Sequence, residues 1–355
     1  MADAQVSPTR ILVVGPAWVG DMVMAQSLFM TLKTRFPGVA IDVLAPRWSL
    51  PVLARMPEVR RTVEMTAGPG RLGLLARVRV AHALRRERYD QAIVLPRTVK
   101  AALTPLFARI PRRTGYRGEM RYGLLNDIRT LDTSVLPGTV QRYVALGLPA
   151  STPMPPAIPL PKLMVRSDNQ RDLMQRLGLD LGRPVILLTP GAEFGPSRRW
   201  PLEYFSALAQ RLVAIGFQVW VDGSPKEQGL GEHIRQTADC GVINLCGRTS
   251  LADAIDLAAL AAKVVSNDSG LMHVASAVGT PVIGLFGPTP ITLAPPLTPH
   301  RQLFSLDLPC SPCHKRECPL GHHKCMRDIS VDAVFRACVD DAGLRAVARR
   351  EETGG

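Results

Sequence analysis

Aromatic side chains are scarce in this chain, at 5% of its 355 residues. With them goes the base-stacking surface that single-stranded nucleic acid needs, and no recognition helix or RNA-binding signature replaces it. No apolar run is long enough to span a bilayer. The opening Met-Ala-Asp-Ala-Gln-Val-Ser-Pro-Thr-Arg lacks the charged-then-apolar order of a signal peptide, so the expectation is a cytoplasmic protein. An odd number of cysteines, seven, argues against a full disulfide framework and fits a reducing compartment. Two glycine fingerprints are also missing. The loop Gly15-Pro-Ala-Trp-Val-Gly20 does not follow G-x-G-x-x-G, which weakens a nicotinamide oxidoreductase. It has P-loop spacing, but Asp21 stands where a phosphate-binding lysine must be, and an aspartate would repel phosphate there.

What is present is a soluble globular composition, 46% hydrophobic and 21% charged, long enough for two domains. Charge is unevenly placed. Residues 1–160 hold 22 Lys+Arg against 10 Asp+Glu, a net of +12, and the remainder holds 21 against 20. Such a one-sided field suits an anionic partner: nucleic acid, an acidic glycolipid or a membrane surface.

Short apolar runs alternate with helical spacing along the chain, which predicts βα units and parallel sheets. Strands are expected at 11–14, 39–44, 62–65, 91–95, 184–188, 217–221, 242–243 and 281–286. Helices are expected at 21–36, 48–56, 71–88, 166–177, 202–215 and from 250. The 71–88 helix carries a leucine-rich side and arginines elsewhere, a pattern that fits a water-facing helix or one lying on anionic lipid. Six prolines between Pro149 and Pro161 read as a semi-rigid linker, so the domain boundary falls there. The expected domains are 1–160, 161–330 and a C-terminal helix over 331–355 packing back towards the first.

The stretch Val264 to Ala275 carries the most chemistry. A strand breaks into Asn267-Asp-Ser-Gly270 and a helix starts at once, with Asp268 or Ser269 as N-cap. Unpaired N–H groups and the helix dipole there favour an anion, and His273, one turn in, is either a phosphate donor or a buried histidine. Asp21, above the carboxyl end of the first strand, is placed to act as a base, or else to satisfy its helix dipole.

Three motifs together, Gly15 to Asp21, Thr189-Pro-Gly-Ala-Glu-Phe-Gly-Pro-Ser-Arg-Arg-Trp-Pro201 and Asn267 to Ala275, resemble the ADP-heptose:lipopolysaccharide heptosyltransferases. The Pro190 to Pro196 wording and the cysteines from Cys310 to Cys325 most resemble the heptosyltransferase II group. The likeness runs from Ile11 to the C-terminal helix. It implies a GT-B fold, two Rossmann-like doubly wound α/β domains facing a cleft. It also implies a metal-independent, inverting transfer of L-glycero-D-manno-heptose, with no cofactor, from ADP-heptose to the first heptose of the Kdo-lipid A core. A heptosyltransferase I or III with another acceptor is the alternative. The implied setting is the inner face of the cytoplasmic membrane, with no nucleic acid.

By the same resemblance Asp21 is the base, and Gly15, Trp18 and Gly20 lie on the acceptor side. Arg198 stabilises the departing diphosphate where the family often has lysine, with Arg199 as its rival. Asp268, Ser269, Gly270 and His273 contact the diphosphate side of ADP, helped by Thr189 and Gly191. Glu227 meets the ribose and Thr249 the adenine side. Cys310, Cys313, Cys318 and Cys325 are enough ligands for a structural zinc. The other reading is a loop of reduced thiols, which the resemblance favours.

Overall fold

The computed structural model describes residues 7–67, 72–238 and 241–340. The chain forms two compact units, 1–161 and 162–355. Each is built on a six-stranded sheet in which every pairing is parallel.

In the first unit the strands are β1 (Arg10–Val14), β2 (Ala40–Ala45), β3 (Val59–Glu64), β4 (Gln91–Val94), β5 (Arg112–Tyr116) and β6 (Asp127–Arg129). The helices are α1 (Val19–Arg35), α2 (Leu50–Leu53), α3 (Leu74–Arg85), α4 (Val99–Phe107) and α5 (Thr139–Leu146). Strand order is β3-β2-β1-β4-β5-β6. The strands β1, β2 and β4 are apolar nearly throughout because helices cover both faces, which is how all-parallel sheets read.

The second unit repeats the plan with β7 (Val185–Thr189), β8 (Gln218–Val221), β9 (Val242–Asn244), β10 (Lys263–Asn267), β11 (Val282–Leu285) and β12 (Arg301–Phe304). Its helices are α6 (Ser167–Leu177), α7 (Leu202–Ala214), α8 (Gln228–Thr237), α9 (Leu251–Ala258), α10 (Gly270–Ala277), α11 (Lys324–Arg327) and α12 (Val331–Val339). The order β12-β11-β10-β7-β8-β9 matches the first sheet strand for strand. Pleating divides the core in two. Ile186 and Leu188 pack with Phe205, Leu208 and Leu212 of α7, while Val185 and Leu187 face Leu173 of α6 and Met272 of α10. Helix α12 packs on α7; the rest of the expected 331–355 segment, from 341 on, lies outside the described residues.

In both sheets the order reverses between the first and fourth strands of the unit, β1/β4 and β7/β10. Open α/β sheets bind ligands outside the carboxyl ends of strands at such a switch point. That places the Gly15–Asp21 loop at one switch point and the loops after Thr189 and Asn267 at the other.

Candidate active site

In the first unit β1 runs straight into the glycine loop. Gly15 donates its N–H to Leu44 O at 2.9 Å and keeps the loop against β2. Trp18 occupies the N-cap position of α1 and is exposed, Gly20 is buried, and Asp21 falls in the first helical turn. Ala17 O accepts the indole N–H of Trp48 at 2.7 Å, which ties this loop to the β2 loop. Tyr143 of α5 lies beside Asp21; burial first, then the Asp21 charge, holds its phenol well above the usual value and keeps it protonated.

In the second unit the expected residues converge on the carboxyl edge. Asn267, fully buried at the end of β10, organises two loops at once. Its Nδ2 donates to Pro190 O at 2.7 Å and its Oδ1 accepts the Trp200 N–H at 3.0 Å. Trp200, itself buried, donates its indole N–H to Ile329 O at 2.9 Å. Arg198 is thereby turned inward. It forms an ion pair with Asp268 at 3.0 Å and stacks over the Phe194 ring at 4.2 Å. Arg199 is exposed. Of the two arginines, Arg198 is the one the fold directs to the switch point.

Ser269 takes the N-cap position of α10, but neither it nor Asp268 makes a side-chain cap. The N-cap position is thus the expected Ser269, but without the side-chain capping bond, and the Asp268 carboxylate turns instead to Arg198 and accepts from Thr289 Oγ1, a charge-assisted arrangement. The α10 N–H groups around Gly270 stay without intrahelical acceptors. Two further polar atoms are buried with no hydrogen-bond partner, Thr189 Oγ1 and Arg198 Nε. Orphaned buried polar atoms are rare in native proteins; Thr104 Oγ1 and Arg121 Nε in the first unit are the others among the described residues, and only Thr189 and Arg198 sit at a sheet switch point.

His273 is buried within the charge field of this group. Burial first and then Arg198 lower its pKa, against Asp268, to about 4, so the imidazole is neutral near pH 7. Because the folded value lies below the ordinary 6.5, the unfolded chain binds the extra proton between pH 6.5 and 4, and stability falls as pH drops through that window. Asp222, fully buried, is pushed up to about 6 by burial, and its effect on stability runs the opposite way over pH 4–6. We expect the stability advantage of wild type over His273→Gln, measured by urea unfolding, to shrink by about 2 kcal/mol between pH 7 and pH 5.

The remaining donor-side residues form a second cluster. Glu227 accepts from the Ser224 N–H at 2.7 Å and from its hydroxyl at 2.9 Å. Its other carboxylate oxygen lies over Gly191, where a Cβ would come within 1.6 Å, so any side chain at 191 would displace the Glu227 carboxylate from this position. Thr249 Oγ1 donates to Asp222 at 2.7 Å. Thr289, Asn267, Asp222 and Phe194 were not anticipated as site residues. Each follows or precedes a strand end at the carboxyl edge, the one signal that points to them.

The four cysteines of the 310–325 loop line one small cavity with Ser197, Pro288 and His322. Burial opposes it, but backbone N–H groups of His323, Leu320, Gly321 and His322 donate to the Cys318 sulfur and hold its thiol below the usual value. Burial, followed by the other three thiols, pushes Cys325 up. Among the described residues no group of three or more His, Cys, Asp or Glu stands in metal-holding geometry. The loop braces Arg198 from behind. Ser197 donates to Lys315 O and Arg316 O, and Arg316 Nε donates to Phe194 O.

The glycosyltransferase family 9 (heptosyltransferase) model matches residues 77–324. Lipopolysaccharide heptosyltransferase 2 of Salmonella typhimurium is 44% identical over 338 residues, 92% of this chain and 96% of that protein. The chain belongs to glycosyltransferase family 9, the heptosyltransferases. It is a glycosyltransferase enzyme. The structure of the Escherichia coli ADP-heptose lipopolysaccharide heptosyltransferase II superposes with a TM-score of 0.79 at 40% identity, covering 97% of this chain and 99% of that one. The fold is therefore GT-B, as the sequence motifs imply. Lipopolysaccharide heptosyltransferase 1 of Pseudomonas aeruginosa is 25% identical over 321 residues, 87% of each chain. Within the heptosyltransferases, the type 2 enzymes are clearly nearer than this type 1 enzyme.

Proposed function

We propose that this enzyme moves heptose from ADP-heptose, with inversion, onto the first heptose of Kdo-lipid A at the inner face of the cytoplasmic membrane. Heptose transfer in building the lipopolysaccharide inner core is the activity its family membership carries, and 44% identity to a type 2 enzyme selects the second-heptose step over the first or third. The observation that carries the donor side is the Arg198–Asp268–Thr289 cluster beside the α10 N-terminus, with Thr189 Oγ1 and Arg198 Nε left over.

In this reading the diphosphate takes the α10 N–H groups and the unused face of Arg198, which together meet the charge that grows as it leaves. The Asp268 carboxylate, itself repelled by phosphate, positions Arg198. His273, neutral, adds an uncharged donor at the helix end. Glu227 accepts from the ribose, and Thr249, held by Asp222, borders the adenine. On the acceptor side, Gly15, Trp18 and Gly20 shape the loop that presents Asp21. Asp21 takes the proton of the attacking hydroxyl, the oxygen bonds to the anomeric carbon, and the carbon–oxygen bond to ADP breaks with its electrons leaving on the diphosphate. The basic first unit receives an acceptor whose phosphates and carboxylates are anionic.

The test is transfer from ADP-heptose to Kdo-lipid A bearing one heptose, followed by mass spectrometry. One added heptose on that acceptor, and none on Kdo-lipid A lacking heptose, is expected. Transfer only to heptose-free Kdo-lipid A moves the enzyme to the first-heptose step. ADP is expected to raise the melting temperature and NAD to leave it unchanged.

A further inference from the structure

Most of the large apolar side chains that the first unit exposes, Val135 and Leu160 apart, stand at one edge of its sheet. Trp48 follows β2, Leu74 and Leu75 open α3, Val78 sits one turn further, and Met120 and Tyr122 follow β5. All leave the carboxyl edge of the sheet, the edge that carries the Asp21 loop. Leu75 is 83% exposed and Met120 85%, values far beyond what a single stray surface residue needs.

These residues are held on rigid supports. Trp48 is fixed by its hydrogen bond to Ala17 O, two positions from Val19 at the start of α1. Arg121, buried between Met120 and Tyr122, donates to Pro96 O and Tyr116 O at the ends of β4 and β5. Glu119 accepts the N–H of Val99 at 2.7 Å, which sets the Met120 loop on the start of α4, and α4 packs against α3. The α3 opening, the α4 opening and the Met120 loop therefore stand side by side.

Exposed Arg47, Arg97 and Arg117 come from the same loops and Arg79 from α3. Leucine and methionine among tryptophan, tyrosine and arginine is the composition of a surface that sits at the headgroup level of a bilayer. The net +12 of residues 1–160 selects an anionic one.

We propose that this apolar, arginine-flanked rim docks the enzyme on an anionic phospholipid surface. The rim would hold the Asp21 edge against the plane from which a lipid-anchored acceptor extends, while the acyl chains stay in the bilayer. The inference rests on the acceptor assignment above for its purpose, but not for its measurement.

Binding is measured with the full chain and vesicles of phosphatidylcholine containing phosphatidylglycerol, without donor or acceptor. Wild type is expected to co-sediment, with binding lost on pure phosphatidylcholine and weakened by salt. Brominated lipid is expected to quench tryptophan emission; Trp200 and Trp220 are buried, so the signal comes from the exposed Trp48 and Trp18. The double variant Leu75→Glu, Met120→Glu changes only solvent-facing atoms. It is expected to bind vesicles at least about tenfold more weakly, to lose transfer to acceptor embedded in vesicles, and to keep full transfer to a deacylated, water-soluble acceptor.

Unchanged vesicle binding by the double variant overturns the proposal. So does a wild type that ignores anionic vesicles, or one that forms a dimer in sedimentation that the double variant breaks, which would give the rim to a second copy. Vesicle binding without transfer to any acceptor would sink the acceptor assignment and leave the rim standing.

Discussion

If Asp21 is the base proposed above, Asp21→Asn is expected to lower kcat by about 10²- to 10⁴-fold, the range for removing a positioned general base, while the ADP dissociation constant stays within about twofold. The separation of these two effects follows from the fold. Asp21 belongs to the first sheet's switch point, whereas Arg198 and Asp268 belong to the second's and Glu227 follows β8 of that same second sheet. Asparagine keeps the shape and hydrogen-bonding reach of the carboxylate, so α1 starts as before and the loss reports proton transfer alone. Full turnover in single-turnover transfer by the asparagine variant would remove Asp21 from the chemistry.

Arg198→Ala is the second large effect. Removing one preorganised donor to a developing anion costs about 10²- to 10³-fold in kcat. Here the variant also strips the Asp268 carboxylate, 6% exposed, of its cationic partner and leaves it the Thr289 hydroxyl. An uncompensated buried charge costs about 3–5 kcal/mol, so a fall in melting temperature accompanies the loss of rate. Arg198→Lys separates the two consequences. It restores charge beside Asp268 but not the two-pronged geometry, so stability returns while kcat stays at least about tenfold down. Arg199→Ala, at an exposed position, is expected to leave both within about threefold of wild type. Equal losses at 198 and 199, read in kcat at saturating donor, would undo the assignment.

Much of this was legible in residue order. Apolar runs broken by glycine loops placed nine of the twelve strands among the described residues and divided them into two Rossmann-like halves, because buried parallel strands have no polar face to blur the pattern. Strands β5, β6 and β12 escaped. Arg112-Arg113-Thr114-Gly115-Tyr116 is too polar to read as a strand; Gln91 and Asp127 satisfy its Thr114, and Asp127 pairs Arg112. β12 is an edge strand, half of it exposed. The site was legible by residue type and not by partner. Two adjacent arginines look alike in a sequence; only the burial of Trp200, pinned by Asn267, decides which one turns in. Asp268 reads as a helix cap until Thr289, twenty-one residues on, takes it away.

Among the described residues, all ten strand pairings join residues of the same half. The first sheet needs nothing beyond Arg129 to be complete, and its last helix ends at Leu146. On the ribosome, where chains emerge from the N-terminus at about 5–20 residues per second, the first half can therefore close while the second half is still being made. The basic half would then already be folded when the second sheet begins to form.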